Sequence, residues 1–441
     1  MAVTFGPDAL MVEKAVAADA LQQLFLMSVF TQASLGGYEE GAFEMGDTVK
    51  FRRIRITEAE DYDPRTGSGA NETEPGYVTG DTKLEKLFTN AIPVYHSDVK
   101  IQQYINETGP SMAYSIATAF ERYLYSKLRT PTHASTGQVR YGVDMPIRIV
   151  ATADTAPGKL GKFDQDLLVN GSVCLEEENT PPGELYAILA TRAKGDYIGE
   201  QTPVDAGMVY AQSQVAALLQ RGLPIGQFVQ RMGFNVGGSN IIKTDGTQMG
   251  VADLDTASSA QASLAIASMS NNTDFVKADY ATTTYLGAID FVLTCTGLQN
   301  VAVGQIARIG PDSGAATAYG VVLRVNTGSK TVTLVPFAPD GTQLTTSDIS
   351  TSTDKFSIPR VGSINVGYKK QALIRSARQM MPPEENAGAQ VVTAADDDTG
   401  LALQIWTGNY QINKFKSSRR YSFLTGAKFT DYRQGVLMLS R

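Results

Sequence analysis

The chain has 441 residues, enough for two or three domains with a buried core. Hydrophobic residues make up 43% and charged residues 19%, a globular composition that excludes a disordered chain. Lys and Arg number 38 against 45 Asp and Glu, a net charge of −7, which argues against a protein that grips duplex DNA but not against one that lies beside it.

The first element expected is an amphipathic helix over residues 9–31, with Val12, Val16, Ala20, Leu24, Met27 and Phe30 on one stripe. After "LGGYEEG" comes a strand with Val49, Phe51, Ile54 and Ile56 apolar; its alternation slips at Arg52–Arg53, the pattern of a bulge. This strand packs Lys50, Arg52, Arg53 and Arg55 into six residues. Residues 61–80 are polar and turn-rich, longer than a tight hairpin needs. "LFTNAIPVYHSDVKI" then reads as the returning strand of a long two-stranded arm.

Pro110 suits the first turn of a helix through "PSMAYSIATAFERYLYSKLR", with Met112, Ile116, Ala119, Phe120 and Tyr123 on one face and Lys127 and Arg129 at the C-terminal end. A helix over about 163–178, a short apolar strand at 185–190 and a helix over about 204–220 follow. Residues 250–283 are small, polar and linker-like. "YLGAIDFVLT", "VAVGQIARIG", "YGVVLRVN" and "KTVTLVPF", with turns at "NTGSK" and "PDGT", then read as a small β-barrel or sandwich. A mixed pattern resumes near Ser363 and closes with "LALQIWTGNYQI" and "YSFLTGAKFT".

Reactive groups are scarce. His96 and His133 are the only histidines, and neither has a Cys or His partner at metal spacing, so His96 reads as a surface or interface residue and His133 as an exposed one. Cys174 and Cys295 read as small buried hydrophobes; two such cysteines cannot frame disulfides and point to a reducing compartment. Asp396, Asp397 and Asp398 are adjacent where a calcium loop alternates its carboxylates, so a turn and helix-cap role is expected. "FNVGGSN" is no phosphate cradle, and no Gly-x-Ser-x-Gly elbow occurs. No run approaches the roughly 20 apolar residues of a membrane span. The N-terminus lacks the basic region of a secretory signal, and a soluble, intracellular protein is expected.

The series "GDTVKFRRI", "PSMAYSIATAFERYLYSKL", "VCLEEENTPPGELYAILA", "DDDTGLALQI", "YQINKF" and "YRQGVLML" resembles, in that order, the major capsid proteins of tailed bacteriophages. In particular, it resembles short-tailed-phage coat proteins that carry an inserted β-barrel. The resemblance implies an α+β fold with an N-terminal arm (1–45), an extended β-arm (46–92), a peripheral domain (93–158) with a spine helix at 110–128, and an axial domain (159–255). An inserted all-β barrel (256–363) and a return to the axial and peripheral domains (364–441) complete it.

It also implies a non-enzymatic shell subunit with no cofactor and no metal. Its partners would be itself, in hexameric and pentameric capsomers, a scaffolding protein, a portal protein, and packaged DNA by weak proximity only, with no membrane. It would reside in the virion shell and assemble in the host cytoplasm. In that family the arm reaches over a neighbouring subunit, so Lys50, Arg52, Arg53 and Arg55 are expected to contact acidic groups on adjacent subunits; the alternative is a solvated strand face. A decoration or receptor-binding structural protein is the other class to weigh, given the Thr- and Ser-rich β-module.

Overall fold

A computed structural model describes residues 17–22, 24, 28–36, 42–43, 45–54, 65, 77–95, 101–129, 148–156, 159–178, 183–200, 229–231, 233–242, 264–274, 287–294, 298, 301, 303–359, 362–380, 390–396, 401–408, 416–430 and 432–441. Val12, Val16, Met27, Arg55, His96, His133, Cys295 and the helix expected at 204–220 lie outside them.

Residues 17–22 and 24 are helical, with Ala17, Ala20, Leu21 and Leu24 buried at helical spacing. The expected single helix is divided at Ser28, which is extended (φ −98°, ψ 101°), before α1 (Val29–Gln32). The break has a physical cause. It frees the Phe30 N–H to donate to the Glu121 carboxylate, 3.2 Å away, a bond that an unbroken helix would keep internal.

Four strands follow: β1 (Ala42–Phe43), β2 (Thr48–Ile54), β3 (Tyr77–Lys83) and β4 (Lys86–Tyr95). β2 and β3 form a two-stranded ribbon whose register runs without a shift from Thr48↔Lys83 to Ile54↔Tyr77. The expected bulge at Arg52–Arg53 is therefore absent. The returning strand is β3, which begins inside the stretch expected to be a loop and runs past its end, and β4 instead pairs with a strand near the C-terminus. The polar residues of "YVTGDTK" disguise β3, because only pairing with β2 makes it a strand.

The long helix α2 (Ile101–Arg129) begins nine residues earlier than expected, so Pro110 lies inside it. Tertiary packing outweighs the lost hydrogen bond. Ala113, Ile116, Phe120, Leu124 and Leu128 are buried along one side. β5 (Arg148–Ala151), β6 (Asp154–Ala156) and β7 (Lys159–Leu160) lead to α3 (Gln165–Glu177), capped by Asp164, which accepts from Leu167 N at 2.9 Å. β8 (Leu185–Ala190), α4 (Thr191–Glu200), β9 (Val229–Arg231) and β10 (Phe234–Ser239) follow.

β11 (Leu264–Asn271), β12 (Ile289–Leu293), β13 (Ile306–Gly310), β14 (Ala318–Asn326), β15 (Thr331–Leu334) and β16 (Lys355–Ser357) close a barrel in the order β11-β12-β15-β14-β13-β16. The stretch expected to be a linker thus contains a barrel strand, β11, whose small residues leave only Ile266 fully buried. Phe291, Ile309, Val322, Val332, Leu334 and Phe356 help fill the interior. Tyr319, Val321, Val335 and Phe337 face the other way and join the core of the rest of the chain.

The chain ends in β17 (Ser363–Lys369), β18 (Leu373–Met380), β19 (Gln390–Asp396), β20 (Leu401–Thr407), β21 (Lys416–Phe429) and β22 (Gly435–Ser440). One sheet runs β1-β18-β21-β20-β19 with β4 also on β21; the other runs β5-β22-β17-β8-β10-β9. Asp396 pairs with Leu401 at one end of an antiparallel pair, while Asp397 and Asp398, on which the expected cap role also rests, lie outside the described residues. Among the described residues no helix is long and apolar enough to cross a membrane.

The barrel meets the second sheet through the turn after β15, where Ala151 N donates to Pro339 O at 2.9 Å. Gly341 adopts φ +93°, and a Cβ there would overlap Cys174 Sγ and stand 2.8 Å from Val150 Cγ1. Gly341→Val should cost about 1–3 kcal/mol through overpacking and backbone strain. Amide exchange should then show lost protection at Ala151 with the interior barrel strands unchanged. Equal loss throughout would mean that barrel and sheet do not separate as units.

Candidate assembly surface

The ribbon is fixed at its root. Gly46 N donates to Leu84 O (2.7 Å) and Leu84 N to Asp47 O (2.9 Å), carrying the ladder past Thr48. Gly46 has φ +104°, a conformation that side chains resist. Val49 and Leu84 are buried against Leu424, with Leu87 and Met380 around them. Gly426 lets β21 approach the ribbon closely, because a Cβ there would overlap the Lys83 carbonyl oxygen.

Glu85, in the turn between β3 and β4, ties this root to the long helix. Its Oε1 lies 2.6 Å from Lys127 Nζ and accepts from the Tyr123 hydroxyl at 2.9 Å. The same hydroxyl accepts from Ala427 N on β21 at 3.0 Å. Lys127 Nζ also sits 5.3 Å from the centre of the Tyr123 ring. One carboxylate thereby connects ribbon, helix and sheet. Burial opposes ionisation of Glu85, but the bonds and charge of Lys127 and the Tyr123 hydroxyl outweigh it, and its carboxyl lies below the ordinary value. Burial first, then the Glu85 charge, pushes the Tyr123 hydroxyl far up.

The unbroken register opposes Lys50 to Asp81, Arg52 to Thr79 and Arg53 to Val78. In that register Lys50 and Arg52 are two positions apart along β2 and Arg53 is the next one. Cys174 is buried, its Sγ 3.7 Å from Asp340 O, and burial raises its thiol pKa, which makes it a poor nucleophile. Among the described residues no three His, Cys, Asp or Glu side chains stand together as a metal site would need. A cleft of about 320 Å³ between α3 and the barrel is lined by Thr152, Asp166, Leu167, Tyr319 and Asp340 among others, with no histidine, cysteine or lysine.

Sequence reasoning missed Glu85 entirely and placed Lys127 only by its favourable position at a helix end. The one available signal was the i, i+4 spacing of Tyr123 and Lys127, which puts both on one face. Nothing local marks Glu85 as their partner.

Glu85→Gln should lower stability by about 1–3 kcal/mol by weakening bonds to a charged group. Because the folded carboxyl pKa is depressed, the stabilisation is present above the ordinary value of 4.5 and disappears as pH falls through the lower folded value. The variant's denaturation midpoint should therefore approach that of the wild type in acid; a constant gap at every pH would contradict the assignment. Gly426→Ala should loosen the ribbon root and raise exchange at Gly46 and Leu84 before any effect on the barrel.

No family model and no curated protein matches this chain. Among solved structures, 93% of the chain aligns with 90% of a chain in "Mycobacterium phage Che8", at 10% identity and TM-score 0.39. In "Capsid structure of the Cyanophage P-SCSP1u" the coverage is 94% of this chain and 88% of that one, at 10% identity and TM-score 0.41. In "Capsid of native GTA particle computed with C5 symmetry" it is 93% and 89%, at 10% identity and TM-score 0.40.

Proposed function

We propose that this chain is a major capsid protein of a tailed bacteriophage, the repeating subunit of an icosahedral shell around double-stranded DNA. The observation that carries the reading is the ribbon β2–β3. It is locked at its root by Glu85, Gly426 and the Val49–Leu84–Leu424 cluster, yet it pairs with no further strand among the described residues. A lone two-stranded ribbon is marginally stable in water, so a firmly based one is best explained by a neighbouring subunit that covers it. The ordered sequence resemblance supports the same reading, and a shell subunit needs no reactive site.

Under this reading residues 1–45 form the N-terminal arm, 46–92 the extended arm, and 93–158 the peripheral domain around α2. Residues 159–255 form the axial domain, 256–363 the inserted barrel, and 364–441 the return to both. Lys50, Arg52, Arg53 and Arg55 contact acidic groups of adjacent subunits. The partners are copies of the chain in hexamers and pentamers, a scaffolding protein and a portal. DNA lies near the wall without binding it, as a net charge of −7 allows. Assembly takes place in the host cytoplasm.

The purified chain should give capsomers, tubes or shells of mixed size by negative-stain microscopy, and uniform shells with its scaffolding partner. A strict monomer at high concentration, or fibres and trimers alone, would defeat this reading. Reversing Arg52 and Arg53 to Glu should change folding stability by less than about 1 kcal/mol, since exposed charges contribute little. Assembly should fail, because like charges would then face an acidic partner. Normal assembly of this variant at low salt would make the strand a solvated face.

A further inference from the structure

We propose that the N-terminal segment, residues 28–36, is a proton-dependent clasp that docks on the long helix while Glu121 is neutral and loosens when Glu121 ionises. The inference rests on the docking contact alone and does not depend on the capsid reading.

Glu121 lies in the middle of α2's buried side and is 3% exposed. Its Oε1 accepts from Phe30 N at 3.2 Å, and the neighbouring Val29 N–H also favours its ionised form. The carboxyl thus does in trans what the Ser28 side chain does not do locally, since Ser28 makes no capping bond. The surrounding contact is under-satisfied. Ser28 Oγ, Thr31 Oγ1 and the Tyr368 hydroxyl are all buried without a hydrogen-bond partner among the described residues. A buried carboxylate in such a setting is stabilised by backbone N–H groups, with no cation among the described residues contributing.

The groups around it bear this out. From α1 it meets backbone N–H groups. From β17 it meets Tyr368, whose hydroxyl is raised by burial and, next, by the Glu121 charge. On α2 itself, one turn on, Tyr125 donates its hydroxyl to Ile364 O at 2.9 Å and its ring packs 5.9 Å from Phe30. Arg122, adjacent on the helix, is exposed. From β18 the buried Arg375 directs Nε to Ser34 Oγ at 2.9 Å. Burial dominates, and the Glu121 carboxyl is raised from 4.5 to about 7, with the N–H bonds opposing.

The sign follows from linkage. Between pH 4.5 and about 7 the docked state keeps a proton that a solvent-exposed Glu121 would release. Docking is therefore firmest in acid, weakens as pH rises through that window, and levels off above it. Beyond the hinge at Ser28 the segment continues along β18, where Leu35 N donates to Leu373 O and Arg375 N to Leu35 O, both at 2.9 Å. Loosening at Glu121 would thus begin at one end of a run of main-chain contacts.

The test is amide exchange on the full chain at about pH 5.5 and about pH 8, corrected for the intrinsic rate, where one linked proton permits at most about tenfold per pH unit. Protection of residues 29–36 should fall at least about tenfold, while β12 and β15 in the barrel stay unchanged. Glu121→Gln, neutral at every pH and nearly the same size, should remove the step and hold the segment at its acid-side protection. A flat wild-type response, a parallel fall in the barrel, or an undiminished step in Glu121→Gln would each overturn the proposal. The wild-type measurement decides even if the variant folds poorly.

Discussion

The fourteen residues of β21 hold the molecule together, because both edges of that one strand are in use. β4 occupies one edge from Lys416↔Tyr95 to Thr425↔Lys86. The other edge is shared end to end by β20, at Arg419 to Ser422, and β18, at Leu424 to Phe429. Where those two strands meet, the Gln404 side chain accepts from Met380 N (3.1 Å) and donates to Met380 O (2.8 Å), standing in for a backbone pair. Phe423, from the same strand, meets Phe120 of the long helix with ring centres 4.9 Å apart. Loss of β21 would leave the helix, the ribbon root and three strands without a common support.

Two glutamates near that helix show how environment sets the role of one side-chain type. Glu85 has a lysine and a tyrosine hydroxyl beside it and is held as a carboxylate. Glu121 has N–H groups and unpartnered hydroxyls beside it, and burial favours its neutral form. The first makes a fixed joint at the ribbon root, because the carboxylate is satisfied by the Lys127 ammonium and the neutral Tyr123 hydroxyl. The second makes a joint whose strength follows the proton. The ribbon and the N-terminal segment therefore leave the same helix under opposite electrostatic rules.

The barrel combines independence and attachment in the same strands. Ile309, Val322 and Leu334 point into its own core, whereas Tyr319, Val321 and Val335 belong to the main one. Strand alternation makes this possible, since neighbouring residues on β14 serve different cores. A closed barrel leaves few free edges, so its attachment rests on side-chain packing and the turn around Gly341.

Much of this was legible in the sequence wherever local pattern and burial agree. The apolar run Leu185–Ala190, the helix Gln165–Glu177 with its Asp164 cap, and four barrel strands with turns at Asn326 and Gly341 all carry their own signals. The scarcity of histidine and cysteine, the net charge and the ordered motifs likewise needed no coordinates. The rest depended on groups far apart in the chain. Tyr77–Lys83 is a strand because β2 lies beside it, Pro110 stays helical because the helix packs on β4 and β21, and the helix expected through residue 31 breaks because Glu121, ninety-one positions from Phe30, supplies the bond that the break requires. A sequence encodes propensity within a few residues; hydrogen bonds and burial between distant residues exist only once the chain has folded, and in this protein they decided where the ribbon, the long helix and the N-terminal clasp begin and end.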